Sequence, residues 1–575
     1  MNAPALLAAI SPKLTSWLTP LWIVGLGGLA GIVLLMALWG IFWLLSRTAL
    51  LGTLPETPQQ TVRRASWMAP ILAIAWCVSL RGNVEGVFSF MMLGLLLLVV
   101  SWFLSYAFLV LCWKRTVEEV IPAVTEGPLW PLGFLVVAVA CFGVLGAFVT
   151  EKPGDIAKSM ARLPFTGRAE RVVTLQGPND SEDVEPTSLV PVHFRMQELR
   201  ELKIESNGRV SFDYEPFESV VGDPLATITP EEPFIDQRPD FALVADIPDI
   251  TREAIYLRNE SGQQAKVVIS YRTSPIYSQV GSIPLMAMAI AGVFLFYLVQ
   301  RMAMPRLSAI SLATVKSEIA QPLFPLALAF GVFAIGIFIW IPYNTFGEDI
   351  KMLKDTGLTM IMVLGILVAL WAASSSVADE IEGRTALTVL SKPLTRRSFI
   401  CGKFVGIAWT TFLLFAFLGV VFMVAVSYKP IFDAKEDSLP LMPIWQECYM
   451  EMVSVLPGLL LAFMETLVLA SLSVAISTRL NLLANFTICL TIYLLGHLTP
   501  LVVQSSMSSF DIVRFFGQLI ATIFPNLEHF NIQAAVHSGV PIPFEYLGWA
   551  FGYCLVYSVI ALLLALVMFE DRDLA

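Results

Sequence analysis

The chain has 575 residues, of which 56% are hydrophobic and only 14% charged, and its formal charge is −10. With a mean hydropathy of +0.73, that balance excludes an ordinary soluble protein and reads as a polytopic α-helical membrane protein. Many of its apolar runs reach the ~20 residues that cross a bilayer core. The acidity is local: residues 151–277 hold 22 Asp/Glu against 14 Lys/Arg, a net of −8, so it marks one solvated block and no nucleic-acid partner is expected.

Seven cysteines (Cys77, Cys112, Cys141, Cys401, Cys448, Cys489, Cys554) are scattered with no CxxC pair, and the four histidines are His193, His497, His529 and His537. Neither a disulfide framework nor a metal site is expected. The first long apolar run, Leu21 to Leu45, is too long for a cleavable leader and lacks a small-residue cleavage site.

Four apolar segments, at about 21–45, 66–80, 87–113 and 129–150, form an N-terminal membrane region over 1–150. The second is short for a span. Arg47, Arg63 and Arg64 fall in the first loop, and Lys114 and Arg115 follow the third segment. The positive-inside tendency then places the N-terminus outside. Gly27 and Gly31 form a small-xxx-small pair able to make a packing face, but the ordinary glycine content of membrane helices is the better reading.

Residues 151–277 read as an extracytoplasmic β-sandwich of seven or eight strands. LVPVHFRM, ELRELKIES, RVSFDY, FALVADI, EAIYLRN and QAKVVISYR are short runs rich in Val, Ile, Tyr and Phe, and Asn207-Gly208 is a two-residue hairpin signal. The sequons at Asn179 and Asn259 fit an exposed surface. His193 reads as a packed or surface residue, not a ligand.

A fifth span at about 280–300 and a basic link complete 278–306, with Arg301, Arg306 and Lys316 on the inner side. Leu312, Val315 and Ile319 recur at helical spacing, predicting an amphipathic helix over 307–321 that lies in the membrane interface. Six spans follow at about 323–342, 357–377, 399–427, 453–477, 482–504 and 546–568. Residues 343–356 are expected as an outer hairpin and 505–545 as a long outer connection with an amphipathic stretch from Ile512 to Phe524. The count is eleven spans with the C-terminus inside, or ten if 66–80 is only interfacial.

No GxxxxGK[ST] phosphate loop, HExxH or GxSxG occurs, so no catalytic, cofactor or metal residue is expected and energy must come from an ion gradient or a separate subunit. Between two spans lies a charged island, DEIEGRTALTVLSKPLTRRSFICG, from Asp379 to Gly402. Asp379, Glu380 and Glu382 sit where acids favour a helix N-terminus, after a Ser374–Ser376 run able to cap it. Leu387 and Leu390 share a face, and Pro393 limits the helix to about 379–392. Such a helix suits docking into a soluble partner. The positive-inside tendency alone would explain Lys392, Arg396, Arg397 and Lys403, but not the three acids ahead of them. Glu465 lies within span nine, where a carboxylate costs about 2.5–3.5 kcal/mol, so it either serves translocation or gating or makes an interhelical hydrogen bond. Glu447 and Glu451 read as solvated.

These residues resemble the permease subunits of type-2 ATP-binding-cassette (ABC) exporters over about residues 307–575. The elbow LSAISLATVKSEIAQPLF, the island extended to DEIEGRTALTVLSKPLTRRSFICGKFVG, FPNLEHFNI before the last span and the FEDRDL ending carry the likeness. The resemblance implies a six-span permease domain working as a homodimer or heterodimer, with ATP-Mg held by a separate cytoplasmic ATPase subunit. It assigns ATPase coupling to Asp379, Glu380, Glu382, Gly383, Arg384, Thr385, Leu387, Leu390, Lys392, Pro393 and Arg397. The implied location is the plasma (inner) membrane. The β domain could take a substrate or an envelope partner, and the rival reading is an envelope scaffold or sensor that uses that domain without transport.

Overall fold

The computed structural model describes residues 12–48, 52, 58–80, 87–148, 150, 153–176, 187–217, 224–238, 250–261, 263–341, 343, 348–378, 380, 395–438, 442–506, 515, 524–531 and 542–570. The chain divides into two compact units, one of residues 1–149 with 286–575 and the other of residues 150–285. Among the described residues, eight helices are long and apolar enough to cross a membrane, with shorter apolar helices at Leu96–Leu111 and Leu482–Leu498.

The larger unit begins with α1 (Pro12–Ser46), α2 (Pro58–Leu80), α3 (Val87–Leu111), α4 (Lys114–Glu118), α5 (Val120–Glu126) and α6 (Leu129–Leu145). Proline at the first position starts α2 eight residues ahead of the apolar run, which puts Arg63 and Arg64 on a helix and not in a loop. Glycine lets α1 and α6 touch backbone to backbone: a Cβ on Gly143 would stand 2.4 Å from the Gly25 carbonyl carbon. Trp22 Nε1 fixes the same crossing by donating to Gly143 O at 2.8 Å. Gly27 and Gly31 do form a packing face, against Met286 and Ile290.

Residues 150–285 open with a helix that the strand pattern did not reveal, α7 (Pro153–Arg162). Its Arg162 makes two hydrogen bonds to the buried carboxylate of Glu198, at 2.9 and 2.7 Å. Eight strands follow: β1 (Arg168–Leu175), β2 (Thr187–Arg195), β3 (Leu199–Ser206), β4 (Val210–Asp213), β5 (Ala226–Ile228), β6 (Phe234–Gln237), β7 (Thr251–Asn259) and β8 (Ala265–Thr273). They form two four-stranded sheets, β1-β8-β3-β6 and β2-β7-β4-β5, antiparallel throughout. One core between them takes Val190 and Phe194 from β2, Leu202 and Ile204 from β3, Phe212 from β4 and Val267 and Ile269 from β8. This is a sandwich. The run FALVADI and the sequon Asn179 lie outside the described residues.

Two expectations fail here. Asn207-Gly208 does not close a hairpin, because β3 and β4 belong to different sheets. Asn207 instead extends the β3–β8 ladder, its N–H donating to Lys266 O at 3.2 Å and its side chain accepting from Lys266 N at 2.6 Å. A type I′ turn needs positive φ at both central residues, and neither has it. Asn259 is fully buried, donating to Gln176 O and Gln263 O and accepting from Ser261, so that sequon is structural. His193, on β2, is exposed.

The larger unit resumes with α8 (Ser282–Ala303), α9 (Pro305–Ala320), α10 (Leu323–Trp340), α11 (Asp349–Ala373), a π-helical turn (Ser374–Ala378), α12 (Arg396–Glu436), α13 (Trp445–Val453), α14 (Leu456–Ser477), α15 (Leu482–Ser506), a 3₁₀ turn (Leu527–Phe530) and α16 (Phe544–Glu570). Residues 349–356 are the first turns of α11 and not part of an outer hairpin. The stretch Ile512–Phe524 lies almost wholly outside the described residues.

The elbow α9 packs differently from its pattern. Its buried side is Ser308, Ile310, Ser311, Thr314, Val315 and Glu318, whereas Leu312 and Ile319 are half-buried. Small hydroxyl residues let it close on Gly402 and Gly406 of α12, where a Cβ would come within 2.8 Å of Ile310 and 2.6 Å of Thr314. The helices α9, α11, α12, α14 and α16 then share one core rich in alanine, including Ala369, Ala373, Ile407, Ala470, Val474 and Ala565.

Gly406→Val should therefore wedge α9 from α12 and cost about 1–3 kcal/mol, read as a lower thermal midpoint of the detergent-solubilised chain by tryptophan fluorescence. Gly336→Val, where a Cβ meets nothing within 4 Å, should leave that midpoint unchanged. Equal midpoints for the two variants would contradict the tight crossing.

Candidate functional site

Two polar constellations lie in the larger unit, one where α11 ends and α12 begins, the other between α11, α14 and α15. At the first, α11 passes into the π turn Ser374–Ala378, a widened pitch often found at functional positions. The helix these serines were expected to cap lies almost wholly outside the described residues. Ser375 Oγ donates to Glu318 of the elbow, 3.1 and 3.2 Å from its two oxygens, and Trp371 Nε1 donates to Gln321 Oε1 at 2.6 Å. Ser374 Oγ accepts from Asn485 Nδ2 at 2.7 Å, and Asn485 also donates to Ser473 and Ser477. Every member of that Asn–Ser node is fully buried, as a polar group inside a membrane bundle must be satisfied by the protein itself.

Of the sequence-assigned coupling residues, Asp379, Glu382, Gly383, Arg384, Thr385, Leu387, Leu390, Lys392 and Pro393 lie outside the described residues. Arg397 is exposed on the first turn of α12. Glu380 is turned back onto the bundle, accepting from the buried Lys403 Nζ at 2.6 Å. The rest of the basic cluster also has structural duties. Thr395 caps α12 by accepting from Ser398 N at 3.2 Å. Arg396 donates to Glu570 O at 2.7 Å, a cation set against the C-terminus of α16. Phe399 stacks on Phe569 at 5.8 Å, closing the same corner.

The second constellation is built on Glu465. Its side chain is 2% exposed and its Oε1 lies 2.9 Å from His497 Nε2. The other ring nitrogen, Nδ1, lies 3.5 Å from Glu528 Oε2. Residues distant in sequence meet here because Gly496 leaves no side chain in the way: a Cβ there would stand 2.7 Å from Leu527 and 2.9 Å from Pro525 O. The 3₁₀ turn therefore seats on α15 with Glu528 beside His497. Asn526 holds that turn by accepting from Glu528 N at 3.2 Å, Asn531 donates to Glu528 Oε1 at 3.0 Å, and Tyr553 OH accepts from Asn526 N at 2.9 Å. Beside the Glu465–His497 pair an open cleft of about 360 Å³ runs between Asp355, Met362, Tyr493 and Phe530. Interhelical bonding and a lining position thus coexist at Glu465.

A family model described as ABC-2 family transporter protein matches residues 213–574, well over half of the chain. The chain belongs to that family. It is a multi-pass membrane protein of the ABC-2 permease type. The match begins at Asp213, at the end of β4, so it takes in the second half of the sandwich and α8 and is wider than the stretch from Leu307 whose motifs resemble exporters. Both constellations of this ABC-2-family chain lie within the matched residues. No curated protein matches the chain.

Sequence reasoning missed Glu318, Trp371, Ser375, His497 and Glu528. The signal for His497 was its position as the only histidine inside an apolar helix. Glu318 carried no such signal, standing among the polar residues of the elbow. Glu451 is not merely solvated: it pairs with Lys354, a buried lysine that also donates to Ser454 Oγ at 2.8 Å. Glu447 is exposed.

Glu380 is about one-third exposed and Lys403 is buried, so breaking their pair should cost about 1–3 kcal/mol, less than a fully buried pair. Glu380→Lys alone should lower the unfolding midpoint of the purified chain, and adding Lys403→Glu should recover most of the loss. A double variant no more stable than the single would contradict the pair's role.

Proposed function

We propose that the chain is the membrane permease subunit of an ABC exporter, driven by a separate cytoplasmic ATPase subunit that docks on the 379–402 loop. The observation that carries this reading is the family match over the elbow, the six following helices and the loop between them. The polar hub supports it mechanically. Glu318–Ser375, Trp371–Gln321 and Glu380–Lys403 tie the loop's flanks to α9, α11 and α12, so a push on the loop reaches three helices at once. The chain itself carries no phosphate loop, and ATP-Mg belongs to the partner. A second permease copy, identical or related, completes the pathway, as one six-helix unit presents α16 as a largely lipid- or partner-facing helix. Asp379, Glu382, Gly383, Arg384, Thr385, Leu387, Leu390, Lys392, Pro393 and Arg397 form the docking segment. Glu380 is its inner anchor, positioned by Lys403.

Residues 151–277 lie on the extracytoplasmic side of the inner membrane and the C-terminus on the cytoplasmic side. This orientation follows from the basic residues Arg301, Arg306, Lys316, Arg396 and Arg397 at one end of the bundle.

The test is the ATPase that co-purifies with the full chain. Glu382→Lys with Arg397→Glu, and separately Gly383→Pro, should reduce hydrolysis in the complex about tenfold or more, the loss of one or two well-formed contacts, while membrane insertion is unchanged. Undiminished hydrolysis in both variants would sink the docking assignment.

A further inference from the structure

His497 has a carboxylate at each of its ring nitrogens. Glu465 Oε1 lies 2.9 Å from Nε2, and Glu528 Oε2 lies 3.5 Å from Nδ1. A neutral imidazole has one N–H and one lone pair, so it donates to one carboxylate and turns the lone pair on the other; imidazolium donates to both. The two contacts therefore hold together only while the triad carries one extra proton, on the ring or on one of the acids. The two acids sit in unlike places. Glu465 is buried within α14, whereas Glu528 is exposed at the rim of the cleft. Glu528 also belongs to the 3₁₀ turn Leu527–Phe530, which seats on α15 at Gly496. One ring thus ties that turn to two helices.

We propose that Glu465, His497 and Glu528 form a proton-operated latch that holds the 3₁₀ turn against α14 and α15. With the proton bound, the ring donates to both carboxylates and the turn, whose Phe530 lines the cleft, is held in place. When the proton leaves, it passes to water on the exposed Glu528 side. The remaining N–H stays with Glu465, where the contact is shorter and the carboxylate has no water to turn to. Nδ1 then sets a lone pair against Glu528, which swings to solvent and releases the turn. The other titratable groups on the surrounding elements are few. Tyr493 of α15 packs its ring on His497 at 4.8 Å, and Tyr553 and Tyr546 of α16 bond to Asn526 N and His529 O; phenols do not titrate in the neutral range. Asp355 of α11 lines the same cleft. His529, next along the turn, stacks on Tyr553 at 5.5 Å and has its Nε2 3.3 Å from Asn526 Nδ2. Asp355 and His529 are the rival sensors that the variants below separate.

The latch is a property of the chain alone and needs neither an ATPase nor cargo, so its failure leaves the permease reading untouched. Amide hydrogen exchange over residues 524–531 is measured on the full chain in nanodiscs. Each variant is compared with the native chain at the same pH, so that intrinsic exchange rates cancel. From about pH 5 to about pH 9 the native turn should lose about tenfold in protection relative to His497→Gln, whose side chain does not titrate. Glu528→Gln is the sharper arm. Its new side-chain amide donates to the Nδ1 lone pair, so a neutral ring keeps both contacts. The turn in Glu528→Gln should then stay protected at about pH 9, where the native turn has opened. A plain ion pair would instead be weakened by that change at every pH. Because His497→Gln reaches the bundle interior, the comparison with Glu528→Gln stands on its own. A native turn whose protection keeps pace with His497→Gln at every pH would overturn the proposal. So would a pH response that survives in Glu528→Gln, which would assign the sensor to His529 or Asp355.

Discussion

A bilayer offers no water to a buried polar group, so the strongly polar and charged ones in this bundle are held by partners inside the protein. The larger unit is arranged around that demand. Asn485 collects three serines from two neighbouring segments, Glu465 takes a histidine from the next helix, and Lys403, Lys354 and Lys429 each meet a carboxylate. An apolar residue could pack against several neighbours almost equally well. A hydrogen-bonding one specifies a single angle and depth. These nodes therefore set the register of helices whose lipid-facing surfaces are nearly featureless.

Close approach is the second half of the arrangement. Hydrogen bonds of 2.6–3.1 Å between side chains as short as serine require helix backbones to come near one another, and the sequence supplies glycine and alanine where they do. Gly402 and Gly406 admit the elbow, Gly496 admits the turn carrying Glu528, and the shared core is rich in alanine. Without those notches the carboxylates would be left facing hydrocarbon. Small residues and polar residues thus act together here, one making room and the other fixing position.

The helical class, the elbow's existence and the sandwich were legible because periodicity and composition report them directly. Long apolar runs cannot be mistaken, and alternating Val, Ile and Tyr between turns marks strands. What periodicity does not report is which neighbour a face meets. The elbow looked interfacial because Leu312 and Ile319 drew the eye, yet its serines and threonine make the packing. Asn207-Gly208 looked like a hairpin because turn chemistry is local, whereas the ladder with β8 that overrides it joins residues about sixty positions apart. Glu465 was visible from one carboxylate in an apolar run. His497 and Glu528 were not, since their meeting depends on a 3₁₀ turn seated on a glycine. Glu380 read as a helix N-terminal acid of the coupling segment, and its pairing was not legible because its partner, Lys403, lies across the loop.

The helix from Arg396 to Glu436 has 41 residues, about 60 Å at 1.5 Å per residue, or twice the hydrocarbon thickness of about 30 Å. One end holds Lys403 and the C-terminus of α16. Trp409 Nε1 reaches Gln300 Oε1 at 2.9 Å along its length. Near the far end Ser427 Oγ donates to Trp17 O, and the buried Lys429 donates to Ile339 O. The helix leaves the hydrocarbon and carries the elbow, the first helix and α10 as attachments, with Pro430 inside it near the far end, where one backbone hydrogen bond is lost. A tilt imposed at Arg396 is thus carried along some thirty residues of uninterrupted helix before the proline, which links the loop's end of the bundle to the contact with the first helix.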